Sequence, residues 1–165
     1  MNFTKLNILL ADNDIDNCNF IKHALIDLQQ TTIPVVVHDG DQLMHYLFKN
    51  AAKLPDMLFL DQNLPLKTGF ECLTEINENE KLVGIPVFMI LTPFSRDPVY
   101  ECTLIKMLQK IGVIYFIRKS EDFAILKSEI KKALIIVADK KWPACLIHGN
   151  DAINLNKILG AISQI

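Results

Sequence analysis

Five short apolar runs dominate the chain, at Leu6 to Ala11, Ile33 to Val37, Met57 to Leu60, Val87 to Leu91 and Val113 to Ile117. Each is the length of a strand. The segments that alternate with them have helical spacing, at Asp16 to Leu28, Asp41 to Lys49, Phe70 to Glu78, Val99 to Lys110 and Phe123 to Ala138,. The runs lack the in-and-out alternation of a half-exposed strand, which suits a parallel sheet covered by helices on both faces. Pro34, Pro86 and Pro98 punctuate element starts, and Gly112 falls where a helix should stop before a strand,. Repeats and low-complexity tracts are absent from the sequence.

Five βα units of this size make a doubly wound sheet. Right-handed crossovers then place every strand's carboxyl end along one edge, where function is expected. This rule converts a linear sequence into a short list of side chains that should meet. The list holds Asp12, Asn13 and Asp14 after the first run, His38 and Asp39 after the second, and Asp61, Gln62 and Asn63 after the third. Thr92 follows the fourth and Lys119 the fifth.

Composition removes several function classes. The chain has 165 residues, half of them apolar, which is enough for one domain with a sizeable core,. Seventeen Lys and Arg stand against 19 Asp and Glu, so there is no global attraction to nucleic acid or to anionic lipid,. No segment approaches the roughly 20 apolar residues of a membrane span, and MNFTKLNILLADND lacks the pattern of a signal peptide, so the cytoplasm is expected. Cys18, Cys72, Cys102 and Cys145 show no C-x-x-C pairing and read as small interior side chains,. His23, His38, His45 and His148 share no spacing that suggests a metal site.

The acids at the strand ends need a cation, because crowded buried carboxylates are costly alone. If the first and third strands pair, Asp61 faces Asp12. Mg²⁺ binds through one or two carboxylates plus carbonyls, waters and phosphate oxygens, a set that Asp12, Asp61 and the backbone of Asn63 can supply. Lys119 adds positive charge and Thr92 a hydroxyl. An aspartate flanked by a metal, a lysine and a hydroxyl has the surroundings of a phosphoryl acceptor, since that transfer depends on positioning and on cations facing the phosphoryl oxygens. Taken singly, Asp14 or Asp16 is more readily explained as a helix N-cap.

The order Asp12, then Asp61 within D-Q-N-L-P-L-K-T-G-F-E, Thr92 after I-P-V-F-M-I-L and Lys119 after Y-F-I-R resembles the receiver domain of two-component response regulators. The resemblance covers about residues 5 to 138. It implies a flavodoxin-like fold, a doubly wound five-stranded parallel sheet of order 2-1-3-4-5. It also implies that Asp61 is phosphorylated by a histidine kinase or phosphotransfer protein with Mg²⁺ bound by Asp12, Asn13, Asp61 and Asn63. Lys119 and Thr92 would contact the phosphate, and Thr92 and Phe116 would act as the switch pair. Two departures stand out. Asn13 occupies the place of the second of two adjacent acids, so either Asn13 gives a neutral oxygen, the favoured reading, or Asp14 moves in. Thr92 comes one position late, leaving Leu91 at the usual switch site.

The expected organisation is a receiver over 5–138 and a C-terminal extension over 139–165. In that extension Asn150 or Asp151 would cap a last amphipathic helix with Ile153, Leu155, Ile158, Leu159 and Ile162 as its stripe,. The stripe would pack on its own domain, on a second copy as a homodimer, or on a partner. The expected function is a stand-alone phosphoacceptor that is not an enzyme beyond self-catalysed phosphoryl transfer and dephosphorylation. It would signal through the face built from segments 99–110, 113–117 and 123–138, without contacting nucleic acid or membrane. Two alternatives compete. One is a degenerate receiver that binds its partner without phosphate. The other is a magnesium-dependent phosphohydrolase of the haloacid dehalogenase type, for which LLADND imitates the D-x-D motif.

Overall fold

The apolar runs form five parallel strands: β1 (Ile8–Ala11), β2 (Val35–Val37), β3 (Met57–Asp61), β4 (Val87–Leu91) and β5 (Val113–Arg118). Their order in the sheet is β2-β1-β3-β4-β5, as expected for the doubly wound class. The structure is a computed structural model and describes residues 6–28, 33–91 and 112–138. Four helices lie within those residues: α1 (Ile15–Asp27), α2 (Gly40–Lys49), α3 (Gly69–Glu78) and α4 (Phe123–Ala138). The helix expected over 99–110 and the C-terminal extension lie outside the described residues.

Where strand bounds differ from the apolar runs, backbone partners give the reason. Leu6 is buried, but the Asn7 N–H donates to Asp56 Oδ2 at 2.7 Å instead of joining a ladder, so β1 starts two residues into the run, at Ile8. Pro34 has no N–H to contribute and Ile33 is exposed, which leaves β2 only three residues long,. In the other direction, β3 runs on to Asp61, paired with Ile90, and β5 runs on to Arg118, paired with Leu91.

The buried side chains divide between the two faces. Leu9, Leu58, Leu60 and Met89 meet Leu43, Leu47, Cys72, Leu73 and Ile76 of α2 and α3. Leu10, Phe59, Phe88 and Ile90 meet Ile21, Leu25, Leu126, Ile130 and Leu134 of α1 and α4. Strands β1, β3 and β4 are buried along their whole length, which is why they read as unbroken apolar runs,. On β5 the register with β4 slips between Val87 and Phe88, so Val113 and Phe116 face α2 and α3 while Ile114, Tyr115 and Ile117 face the other layer,. Gly112, just before β5, has φ 87°, a left-handed conformation that favours glycine,.

Short-range signals set where the helices begin. Asp14 caps α1, accepting from the N–H groups of Asp16 and Asn17, and Asp39 caps α2 by accepting from Gln42,. Thr68 and Glu71 form a reciprocal capping box on α3, which anchors the loop that follows Asp61,.

Candidate functional site

Three charged residues stand where the backbone ladders end. The Asp12 N–H donates to the Val37 carbonyl at 3.1 Å, the Gln62 N–H to Ile90 at 3.2 Å, and the Lys119 N–H to Leu91 at 2.9 Å. Asp12, Asp61 and Lys119 are thereby fixed at one edge of the sheet. Register pairs Ala11 with Leu60 and Asp61 with Ile90, so the two aspartates emerge from neighbouring strands, side by side.

The side chains converge. Lys119 Nζ lies 2.6 Å from Asp61 Oδ2 and 3.4 Å from Asp12 Oδ2. Asp12 is 0% exposed and Asp61 1%, so two carboxylates leave water together with a single ammonium between them. Burial pushes the Asp12 carboxyl above its ordinary range and the Asp61 charge adds to this, while the Asp14 N–H, Lys119 and Asn17 oppose it,. For Lys119, burial works against the ammonium, but the hydrogen bond to Asp61 and the charges of both aspartates outweigh it and hold its pKa above the usual lysine value.

Each carboxylate is oriented by further donors. Asp12 Oδ1 accepts from the Asp14 N–H at 2.9 Å, and Asp12 Oδ2 accepts from the Asn17 amide. Asp61 Oδ1 accepts from the Asn63 N–H at 3.1 Å. His38 Nδ1 lies 3.0 Å from the Asp12 carbonyl oxygen, which ties the end of β2 to the site without bringing the ring to the carboxylates. Asp14 is held by its capping role, so its carboxylate stays with α1. Asn13 is exposed beside Asp12.

The loop after Asp61 is drawn close beneath the end of β3. The Gly69 N–H donates to the Gln62 carbonyl at 3.0 Å, and a Cβ on Gly69 would come within 2.3 Å of the Asp61 carbonyl oxygen. Only glycine allows that approach. Leu66, at the loop's tip, is 79% exposed and has φ 65°.

Of the residues marked out by sequence, the structure brings together Asp12, Asp61 and Lys119, with Asn13 following Asp12 directly and Asn63 two residues after Asp61. Phe116 packs half-buried against the core layer of α2 and α3. Thr92 lies outside the described residues. One residue, Asn17, escaped sequence reasoning, and another, Gln62, is placed by sequence at this edge but without a role. Asn17 was not singled out, although it shares one helix face with Ile21, Ala24 and Leu25, a pattern in which a lone polar side chain calls for a buried partner,. Gln62 is buried directly after Asp61, and its side-chain oxygen has no hydrogen-bond partner.

Among the described residues, no three His, Cys, Asp or Glu side chains cluster as a metal site. Two carboxylates supplemented by neutral oxygens are what this edge offers. That set suits a hard divalent cation, and the pair of buried acids against one lysine leaves a negative charge for it to offset. The D-x-D reading gains no support, since the Asp14 side chain is the α1 cap. No helix among the described residues is long and apolar enough to cross a membrane. Cys18 and Cys72 are free and buried, as expected; Cys102 and Cys145 lie outside the described residues.

Comparison with known proteins agrees with this geometry. The family model of the response regulator receiver domain matches residues 8–131. Response regulator Rcp1 of Synechocystis sp. is 36% identical over 70 residues, taking in 39% of this chain and 47% of Rcp1, so the chain matches about half of that relative's length. Chemotaxis protein CheY of Pseudomonas aeruginosa is 28% identical over 127 residues, 77% of this chain and 94% of CheY. The solved Mn(2+)-bound form of Rcp1 superposes with a TM-score of 0.64 at 23% identity, covering 84% of this chain and 99% of that one. The phosphorylated cyanobacterial phytochrome response regulator RcpA does so with a TM-score of 0.60 at 27% identity, covering 84% and 92%. A 2-1-3-4-5 parallel sheet with a buried aspartate pair and a lysine at its carboxyl edge, matched by this model over most of its length, makes the chain a member of the response regulator receiver domain family.

Proposed function

We propose that Asp61 accepts a phosphoryl group from a histidine kinase or phosphotransfer protein, and that the protein then signals in the cytoplasm by contact with a downstream protein. The observation that carries this reading is the 2.6 Å contact between Lys119 Nζ and the buried Asp61 Oδ2 at the end of β3. An Asp61 carboxylate oxygen would form the new bond to phosphorus as the donor's bond to phosphorus breaks. Lys119 would offset the charge on the phosphoryl oxygens, a contribution that depends on its being positioned beforehand.

Mg²⁺ would be held by the carboxylates of Asp12 and Asp61, the side-chain oxygen of Asn13 and the backbone carbonyl of Asn63. When bound it would supply further neutralisation of the phosphoryl oxygens. The Mn(2+)-bound Rcp1 and the phosphorylated RcpA structures support both parts of this reading by analogy. Thr92 is proposed to contact the phosphate and, with Phe116, to shift a pre-existing equilibrium that alters the face built on β5 and α4.

The test is NMR of the backbone amides on addition of beryllofluoride with Mg²⁺. Perturbations should centre on Asp12, Asp61, Asn63 and Lys119 and extend to Phe116, and they should vanish in Asp61→Asn. An unchanged response in that variant would reject Asp61 as the acceptor.

The neutral, exposed Asn13 favours a second reading, a receiver that binds its partner without phosphate. Magnesium titration separates the two. Saturation near millimolar metal belongs to the first reading, and its absence to the second.

A further inference from the structure

Two buried carboxylates compete for one ammonium, and the distances show which one has it. Lys119 Nζ is 2.6 Å from Asp61 Oδ2 but 3.4 Å from Asp12 Oδ2, the latter beyond the usual length of a charge-assisted hydrogen bond,. Charge alone does not explain the preference, because both acceptors are carboxylates and both are removed from water. The asymmetry lies in the other donors. Asp61 Oδ2 has Lys119, whereas Asp12 Oδ2 has the side-chain amide of Asn17. A carboxylate only accepts, so the amide nitrogen must face it.

We propose that Asn17 is a positioning residue that satisfies Asp12 and so reserves Lys119 for Asp61. Asn17 sits in the first turn of α1 and is itself placed by the cap, since its backbone N–H donates to Asp14 Oδ1 at 3.2 Å. The chain from cap to acceptor is continuous. Asp14 fixes the first turn, the turn aims Asn17 at Asp12, and Asp12, already satisfied, leaves the ammonium to Asp61. Without the amide, Asp12 Oδ2 would be a buried acceptor whose nearest remaining donor is Lys119, and buried acceptors left unmet draw in whatever donor can move. Lys119 is long, flexible and within an ångström of making that move,.

This inference rests on the proposed role of Asp61 only for its functional consequence; the geometry can be tested without it. A crystal structure of metal-free Asn17→Leu should show Lys119 Nζ moved to hydrogen-bonding distance from Asp12 Oδ2 and withdrawn from Asp61. Retention of the Lys119–Asp61 contact in that variant would overturn the proposal. If Asn17→Leu fails to fold, Asn17→Ala, whose side chain carries no donor, carries the same measurement and the same two outcomes.

A second measurement reads the consequence. In metal-free protein, the Asp61 carboxyl ¹³C resonance should move in Asn17→Leu in the same direction as in Lys119→Met, whereas at saturating Mg²⁺, with the metal meeting Asp12, phosphoryl uptake from phosphoramidate should fall by less than about threefold. A merely structural role would leave the metal-free Asp61 resonance where it is in wild type, and that outcome would also reject the proposal. Wild-type protein that takes up no phosphate at all would instead contradict the reading of Asp61, while the crystallographic outcome would still decide the role of Asn17.

Discussion

Lys119 from the end of β5 and Asp61 from the end of β3 form a 2.6 Å ion pair with the aspartate almost wholly buried. The pair bridges strands that are not neighbours in the sheet, since β4 lies between them. It is therefore both a tie across the carboxyl edge and a reserve of positive charge at the proposed acceptor.

Removing the lysine should be costly in the absence of metal. Lys119→Met leaves two buried carboxylates facing each other, and breaking such a pair on a side chain that is 22% exposed should lower stability by about 2 kcal/mol,. Millimolar Mg²⁺ should recover part of that loss by binding the folded state alone. Urea titrations with and without Mg²⁺ check both. A variant as stable as wild type would show that the ion pair contributes nothing.

The loop beneath Asp61 gives a pair of opposed expectations. Gly69→Ala forces a Cβ against the Asp61 carbonyl, a backbone atom that cannot give way easily, and should cost about 1–3 kcal/mol while disturbing the site,. Leu66→Asn replaces a branched apolar side chain in a left-handed conformation by one that tolerates it, and should gain about 0.5–1 kcal/mol,. Denaturant midpoints of the two variants should move in opposite directions.

Tyr115 supplies a pH dependence far from the site. Burial pushes its phenol above the ordinary value of 10.0, and the hydrogen bond to Glu129 at 2.8 Å adds to this. A raised pKa means that the folded state holds the proton longer than the unfolded one. Its contribution is complete below pH 10.0 and is lost as pH rises from there towards the folded value,. Wild type should therefore lose more stability than Tyr115→Phe between pH 9.5 and 11, about the range around the unfolded pKa. At neutral pH, Tyr115→Phe should be less stable by about 1 kcal/mol. Parallel stability curves for the two proteins would contradict this.

The thiols of Cys18 and Cys72 are buried, chiefly by which their pKa values are pushed up to about 11 and about 12. Neither should react with iodoacetamide at about pH 8 while the fold is intact, and both should react in denaturant. Peptide mapping by mass spectrometry distinguishes them from the other cysteines. Rapid native labelling of either would show that its helix opens readily.

Much of this was legible in the residues because the physics is local and repetitive. Strands buried on both faces can hardly be written in anything but Val, Ile, Leu, Phe and Met, so β1, β3 and β4 were plain,. The edge strand β2 was overextended because Pro34 and Ile33 look apolar yet contribute no ladder. Acids placed directly after apolar runs marked Asp12 and Asp61, and parallel topology alone made them meet with Lys119. Asn17 was missed for the opposite reason. Its role depends on the rotation of α1 over β1, which a helical pattern implies only when a buried polar residue is asked what it bonds to. Asp14 could be read as a cap or as a ligand, and only the hydrogen bonds to Asp16 and Asn17 show it capping α1.

The most direct measurement of the central claim is intact-protein mass spectrometry after incubation with phosphoramidate and Mg²⁺, with peptide mapping of the modified residue. The account predicts one phosphoryl group per chain, located on Asp61, lost with Mg²⁺ chelation and absent from Asp61→Asn. Equal labelling of Asp61→Asn, or a phosphoryl group mapped to another residue, would contradict it.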